Sequence, residues 1–208
     1  MHVLKYPNRG WIEVICGSMF SGKSEELIRR LRRAQIARQK VIAFKPQIDT
    51  RYSESCISSH SQQQIPCVTI GAAADIYRYL EPDTEVVGID EVQFLGSEIV
   101  AVCEELANRG IRVICAGLDQ DYRGRPWHPV PELMAVAEYV QKMLAICVVC
   151  GAPAHRTQRK VQNKDLVLIG AGDAYEARCR YCHTIPEAVQ EELFPDTSAG
   201  VEAESSDT

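Results

Sequence analysis

No stretch of this 208-residue chain approaches the roughly 20 uninterrupted apolar residues that a membrane-spanning helix requires. The opening residues, Met1-His2-Val3-Leu4-Lys5-Tyr6-Pro7, lack the apolar run of a secretory signal, so a soluble, cytoplasmic protein is expected. An excess of positive charge is also missing. Only 23 basic residues face 28 acidic ones, which weighs against a protein built mainly to grip nucleic acid. The balance of 46% hydrophobic and 25% charged residues excludes disorder as the general state. No internal repeat of useful length is present. Cysteine, by contrast, is plentiful, and nine residues cannot all pair within one chain. In a reducing compartment, clustered cysteines more often bind metal or act in catalysis than form disulfides.

The length allows one substantial domain with a small appendage. Trp11 to Cys16 (WIEVIC) is an apolar run of strand length, and Lys23 to Gln39 reads as a helix with Leu27, Leu31 and Ala34 at helical spacing. Lys40 to Phe44 is a second strand, stopped by Pro46, and Glu85 to Asp90 and Ile111 to Ala116 are two more. Between those two, Ser97 to Asn108 has helix composition and ends at Arg109-Gly110, a helix-capping pair. Strands alternating with helices predict a parallel sheet covered on both faces. After about Tyr139 the pattern changes, and Lys142 to Cys182 is broken by Gly151, Pro153, Gly170 and Gly172. Pro195 to Thr208 is small, polar and acidic and is expected to be disordered. Four of the 28 acidic residues, Asp196, Glu202, Glu204 and Asp207, stand in that tail with no basic residue, so residues 1–194 carry 23 basic and 24 acidic side chains. The charge argument against nucleic acid is weaker for that part of the chain. The expected division is an α/β domain over 1–140, a cysteine-held lobe over 141–194 and a tail over 195–208.

Gly17-Ser18-Met19-Phe20-Ser21-Gly22-Lys23-Ser24 matches G-x-x-x-x-G-K-[ST], and it lies directly after a strand and opens a helix. The two glycines permit a backbone curl that aims successive N–H groups at phosphate oxygens, and the helix N-terminus adds its own unpaired N–H groups. Lys23 is expected to reach the β- and γ-phosphates, with the Ser24 hydroxyl on Mg²⁺. A nucleotide site also needs a carboxylate at the end of a neighbouring strand. Asp90 suits Mg²⁺ there. Glu91 points another way and is free to accept the proton of an attacking hydroxyl. The plain alternative for this pair is two exposed loop acids.

Cys147-x-x-Cys150 and Cys179-x-x-Cys182 are separated by 28 residues. Two such knuckles close a tetrahedral Cys₄ zinc site, and the long span between them accommodates a loop with a task of its own. Redox-active pairs and c-type haem attachment at Cys179-Arg-Tyr-Cys182-His183 are the competing readings. Cys16, Cys56, Cys67, Cys103 and Cys115 lie in or beside apolar runs and read as small core residues. Arg29, Arg30, Arg32, Arg33, Arg38 and Lys40 form a basic cluster, read as a solvated helix face or a patch for another subunit in preference to a DNA footprint.

The segments GSMFSGKSEEL (17–27), KPQIDTRY (45–52), DEVQF (90–94) and GLDQDYRGRPW (117–127), with the late Cys₄ ribbon and the region around Tyr175, resemble the cellular (type II) thymidine kinases, bacterial branch, from about Trp11 to His183. The resemblance implies an α/β fold: a P-loop (RecA-like) parallel sheet flanked by helices, with a small zinc-ribbon lobe carrying a long substrate-binding loop. It implies transfer of the γ-phosphate of ATP to the 5′-hydroxyl of thymidine, with Glu91 as general base. ATP would be bound by Gly17 to Ser24, Asp49, Thr50, Arg51, Asp90 and Gln93. Thymidine would be bound by Met19, Leu118, Tyr122, Thr157, the main chain of Leu166, Val167, Leu168, Ile169 and Gly170, and Tyr175. Zinc would sit on Cys147, Cys150, Cys179 and Cys182. A homotetramer and inhibition by dTTP are implied as well. Tyr122 stands where animal members usually have phenylalanine, and its hydroxyl requires a partner. The runner-up reading from another class is a nucleic-acid-binding P-loop ATPase with a zinc ribbon.

Overall fold

Hydrophobic alternation sets the architecture of the computed structural model, which describes residues 9–47, 56–58, 64–161 and 174–185. In strand β1 (Trp11–Gly17), Ile12, Val14 and Cys16 face one side and Ile15 the other. Helix α1 (Lys23–Ile36) follows, then β2 (Val41–Pro46), a small antiparallel hairpin of β3 (Cys56–Ser58) and β4 (Gln64–Pro66), and β5 (Val68–Ile70). Next come β6 (Val86–Ile89), α2 (Glu98–Asn108), β7 (Arg112–Gly117), α3 (Val130–Val136) and β8 (Tyr139–Met143). Among the described residues these build a six-stranded sheet in the order β5-β2-β6-β7-β1-β8, parallel throughout.

Both faces are covered, as the alternation of strands and helices predicts. Leu27, Ile28, Leu31 and Ala34 of α1 pack on Ile15, Ala43, Ile114 and Ala116. Ile99, Val102, Cys103 and Leu106 of α2, with Val130 and Leu133 of α3, pack on Val14, Val87, Val113 and Cys115 across the sheet. Each such buried side chain contributes about 1.5–3 kcal/mol, and because the six strands run parallel, the loops that follow them leave from one end of the sheet.

Two boundaries differ from the sequence expectation. Helix α1 stops at Ile36, not Gln39, because Arg38 adopts a left-handed backbone (φ 59°). Its N–H reaches Gln35 O at 2.9 Å and the Gln39 N–H reaches Ala34 O at 3.0 Å, a Schellman closure without glycine. Helix α2 closes in the same way with the expected Gly110 (φ 91°). Strand β2 runs through Pro46, since Pro46 pairs opposite Ile70 of β5. No helix among the described residues is long and apolar enough to cross a membrane.

The basic cluster also needs correcting. Arg30 is buried, not solvated. Its Nη1 pairs with Glu13 at 2.6 Å, its Nε pairs with Glu26 at 2.9 Å, and its Nη2 donates to Gln141. Glu13 sits inside β1 with no exposure and also takes Arg112 Nε at 2.6 Å. A buried carboxylate recruits the arginine that a helical wheel would leave in water.

After the sheet, β9 (Ala145–Ile146) pairs with β10 (Pro153–Ala154), and β11 (Arg156–Arg159) pairs with β12 (Tyr175–Arg178), both antiparallel. Of the five cysteines outside the ribbon, Cys16, Cys103 and Cys115 are buried in the core, while Cys56 and Cys67 are half-buried.

Candidate active site

The loop between β1 and α1 curls through residues that tolerate positive φ. Gly17 (φ 143°) and Gly22 (φ 84°) supply two such positions, and Phe20 (φ 65°) is a third without being glycine. Gly17 is also constrained sterically, because a Cβ there would collide with the Met143 carbonyl oxygen of the neighbouring β8. Inside the loop, Ser21 Oγ and Lys23 Nζ each donate to Ser18 O at 2.8 Å. Lys23 is only 8% exposed, so its ammonium is held beneath the curl of main chain.

The two sequence-predicted acids lie at the same end of the sheet, with one difference. Asp90 follows β6, and β7 lies between β6 and the loop-bearing β1, so its strand is not the immediate neighbour expected. Asp90 is 5% exposed and its Oδ1 accepts the Glu91 N–H at 3.0 Å. Glu91 has a left-handed backbone (φ 48°). Gln93 Nε2 donates to Glu91 Oε2 at 2.6 Å, and Gln93 Oε1 accepts the Leu118 N–H at 3.1 Å. These contacts argue against two idle loop acids.

The cysteine lobe leans directly on the phosphate loop. Thr157 Oγ1 accepts the Met19 N–H at 3.1 Å, Ser18 Oγ donates to Ala154 O at 3.4 Å, and Phe20 packs on the apolar side of the cysteine cluster. Met19 and Thr157, 138 residues apart in the chain, therefore meet. Tyr122 and Tyr175 are joined through a residue that sequence reasoning missed. The buried Arg159 guanidinium lies 3.7 Å from the Tyr122 ring centroid and 5.3 Å from that of Tyr175, and donates to Tyr175 Oη at 2.8 Å. The signal was available in the sequence: on a strand, Arg159 shares a face with Thr157. The Tyr122 hydroxyl finds its partner in Arg123 Nε at 3.0 Å. Trp127 stacks edge-on against Phe94, centroids 5.5 Å apart. Asp49, Thr50, Arg51 and Leu166 to Gly170 lie outside the described residues, as does the tail from Pro195.

Cys147, Cys150, Cys179 and Cys182 converge, their sulfurs all within 4.8 Å of one another. Four thiolates about 2.3 Å from a tetrahedral zinc would be separated by about 3.8 Å, and Cys150 and Cys179 stand 3.6 Å apart. The donor set and spacing fit zinc. The Cys182 thiol is pushed up to about 12, chiefly by its hydrogen bond with Cys150. Burial raises Cys147, but N–H groups of Cys179, Cys150 and Val149 outweigh it and hold that thiol at about 6. Thiolates this close repel one another, and a cation among them would relieve that repulsion. Convergence of all four also disfavours haem attachment, and His183 Nε2 is committed to Tyr122 O at 2.9 Å.

A family model described as "Thymidine kinase" matches residues 10–183. Among solved structures, the chain is similar to the flagellar accessory protein FlaH from Methanocaldococcus jannaschii, at 11% identity and TM-score 0.47, covering 70% of this chain and 76% of that one. It is also similar to the Legionella pneumophila ATPase DotB, at 15% identity and TM-score 0.43, covering 71% of this chain and 44% of that one.

Proposed function

The chain belongs to the thymidine kinase family and phosphorylates thymidine, and on that footing we propose that the phosphoryl donor is ATP, transferred in line to the 5′-oxygen to give dTMP and ADP. Two sets of contacts support the reading. The glycine-rich loop meets the lobe at Met19 and Thr157, while Glu91 is tied through Gln93 to Leu118. On the proposed roles, these contacts tie the phosphate-binding loop and the base each to a residue of the nucleoside pocket.

In this reading the amides of Gly17 to Ser24 cradle the ATP phosphates, with Asp49, Thr50 and Arg51 completing the nucleotide site. Lys23 offsets the charge that builds on the transferring group. Mg²⁺, for which the Ser24 hydroxyl and Asp90 carboxylate are suitable oxygen donors, supplies charge neutralisation on the phosphates. Glu91 accepts the 5′-hydroxyl proton as the oxygen attacks. Met19, Leu118, Tyr122, Thr157 and Tyr175 line the thymidine pocket with the main chain of Leu166 to Gly170. ATP thereby falls to the sheet domain (1–140) and thymidine largely to the lobe (141–194), which structural zinc holds together. The same reading includes dTTP as end-product inhibitor, a homotetramer and a cytoplasmic setting.

Replacing Glu91 tests the base assignment. Glu91→Gln should lower turnover by about 100-fold or more, the usual scale of general-base catalysis, while an equilibrium binding measurement finds ATP affinity unchanged. Equal turnover in the variant would refute the assignment.

A further inference from the structure

Gln93 sits in a three-residue 3₁₀ turn, Val92–Phe94, immediately after the proposed base. Only 4% of its surface is exposed, and both ends of its side-chain amide are committed. Oε1 accepts the Leu118 N–H at 3.1 Å. A backbone N–H can only donate, so this contact settles the orientation of the amide and turns its NH₂ towards Glu91. Nε2 then donates to Glu91 Oε2 at 2.6 Å.

The surroundings are shaped to this side chain. Residue 117, the last of β7, is glycine, and a Cβ there would stand 2.7 Å from Gln93 Oε1 and 2.8 Å from Val92 Cγ1. The left-handed backbone of Glu91 is closed by its own carbonyl, which accepts the Phe94 N–H at 3.1 Å. The amide therefore spans from the tip of β6 to the tip of β7, linking the carboxylate of one to the main chain of the other.

We infer that Gln93 is a positioning residue: it holds the Glu91 carboxylate in register with Leu118 of the nucleoside pocket. The inference rests on Glu91 being the base. A base must lie within hydrogen-bond reach of the proton it takes. With one carboxylate oxygen gripped at 2.6 Å, rotation of the group is arrested. Displacement by about 1 Å can lower a rate by about 100-fold.

Two variants test this. Gln93→Met keeps length and volume but removes both hydrogen bonds. Gln93→Glu keeps an acceptor for Leu118 and, while ionised, cannot donate to Glu91. Both should lose about 10- to 100-fold in kcat, with the Kd for a non-hydrolysable ATP analogue and the KM for thymidine within about twofold of wild type. Melting curves identify whichever variant is folded. A kcat within about twofold of wild type in a folded variant would overturn the inference. So would a loss matched by weaker analogue binding, which would make Gln93 an ATP contact. Glu91→Gln, assayed alongside, separates the two levels. An inactive Glu91→Gln beside fully active Gln93 variants overturns this inference alone. An active Glu91→Gln overturns it together with the base assignment.

Discussion

The guanidinium of Arg159 lies 3.7 Å from the centroid of the Tyr122 ring, buried between it and Tyr175. A desolvated cation over an aromatic face contributes about 2 kcal/mol, and here it also locks the two rings that the resemblance assigns to thymidine. Arg159→Met should therefore destabilise the fold by about 2 kcal/mol in urea unfolding. The KM for thymidine should rise roughly tenfold, equivalent to about 1.4 kcal/mol, with the KM for ATP little changed. Arg159→Lys keeps the charge but not the plane and should fall between. An unaltered thymidine KM would place these rings outside the pocket.

Glu13, buried inside β1, forms ion pairs with both Arg30 and Arg112. Burial acts to raise its pKa, but Arg112, Trp11 and Arg30 together hold it below the usual carboxylate value. Glu13→Gln removes the carboxylate that Arg112 pairs with and leaves Arg30 with Glu26 alone. The expected cost is about 3–5 kcal/mol, read from the denaturant midpoint. A shift below about 1 kcal/mol, the scale of exposed pairs, would show that the network is dispensable.

Glu26 gives the fold an acid limit. The hydrogen bond from Arg29, then the one from Arg30, outweigh burial and draw its pKa from 4.5 to about 2. A carboxylate whose folded pKa is depressed adds stability that is full above its unfolded pKa and lost as pH falls through the folded one. The contribution is therefore present above pH 4.5 and disappears towards about pH 2. Urea midpoints followed downward from pH 6 should fall more steeply for wild type than for Glu26→Gln. Parallel curves would contradict the linkage.

Zinc and stability should be lost together. The four converging sulfurs fit a structural site, whose binding energy is folding energy. Elemental analysis should find about one zinc per chain. Cys147→Ser should reduce that content and lower the melting temperature in step, whereas a metal-free wild-type protein with an unchanged melt would refute the ribbon.

The parts of this molecule that were legible in the sequence are those governed by local spacing. Apolar runs of strand length alternating with helical segments announced the sheet and its two helical layers, Gly110 announced a helix end, and the two C-x-x-C knuckles announced the four-sulfur cluster. What was not legible depends on partners distant in the chain. Arg38 closes α1 without the glycine that usually marks such a cap. Arg30 looked like a surface residue because nothing in its helix reveals Glu13 on the neighbouring strand. Asp90 was placed on an adjacent strand because strand order cannot be read from strand sequence, and β7 inserts between. Arg159 shares a strand face with Thr157, which the sequence could show, but the ring it packs on could not be read, because Tyr122 lies far away in the chain.

The most direct test of the central claim is ADP release and dTMP formation from ATP by the wild-type protein, measured with thymidine, with deoxycytidine, with DNA and with no acceptor. ADP should appear in step with dTMP when thymidine is present and stay near background otherwise. ADP release stimulated by DNA, with no dTMP formed from thymidine, would contradict the account.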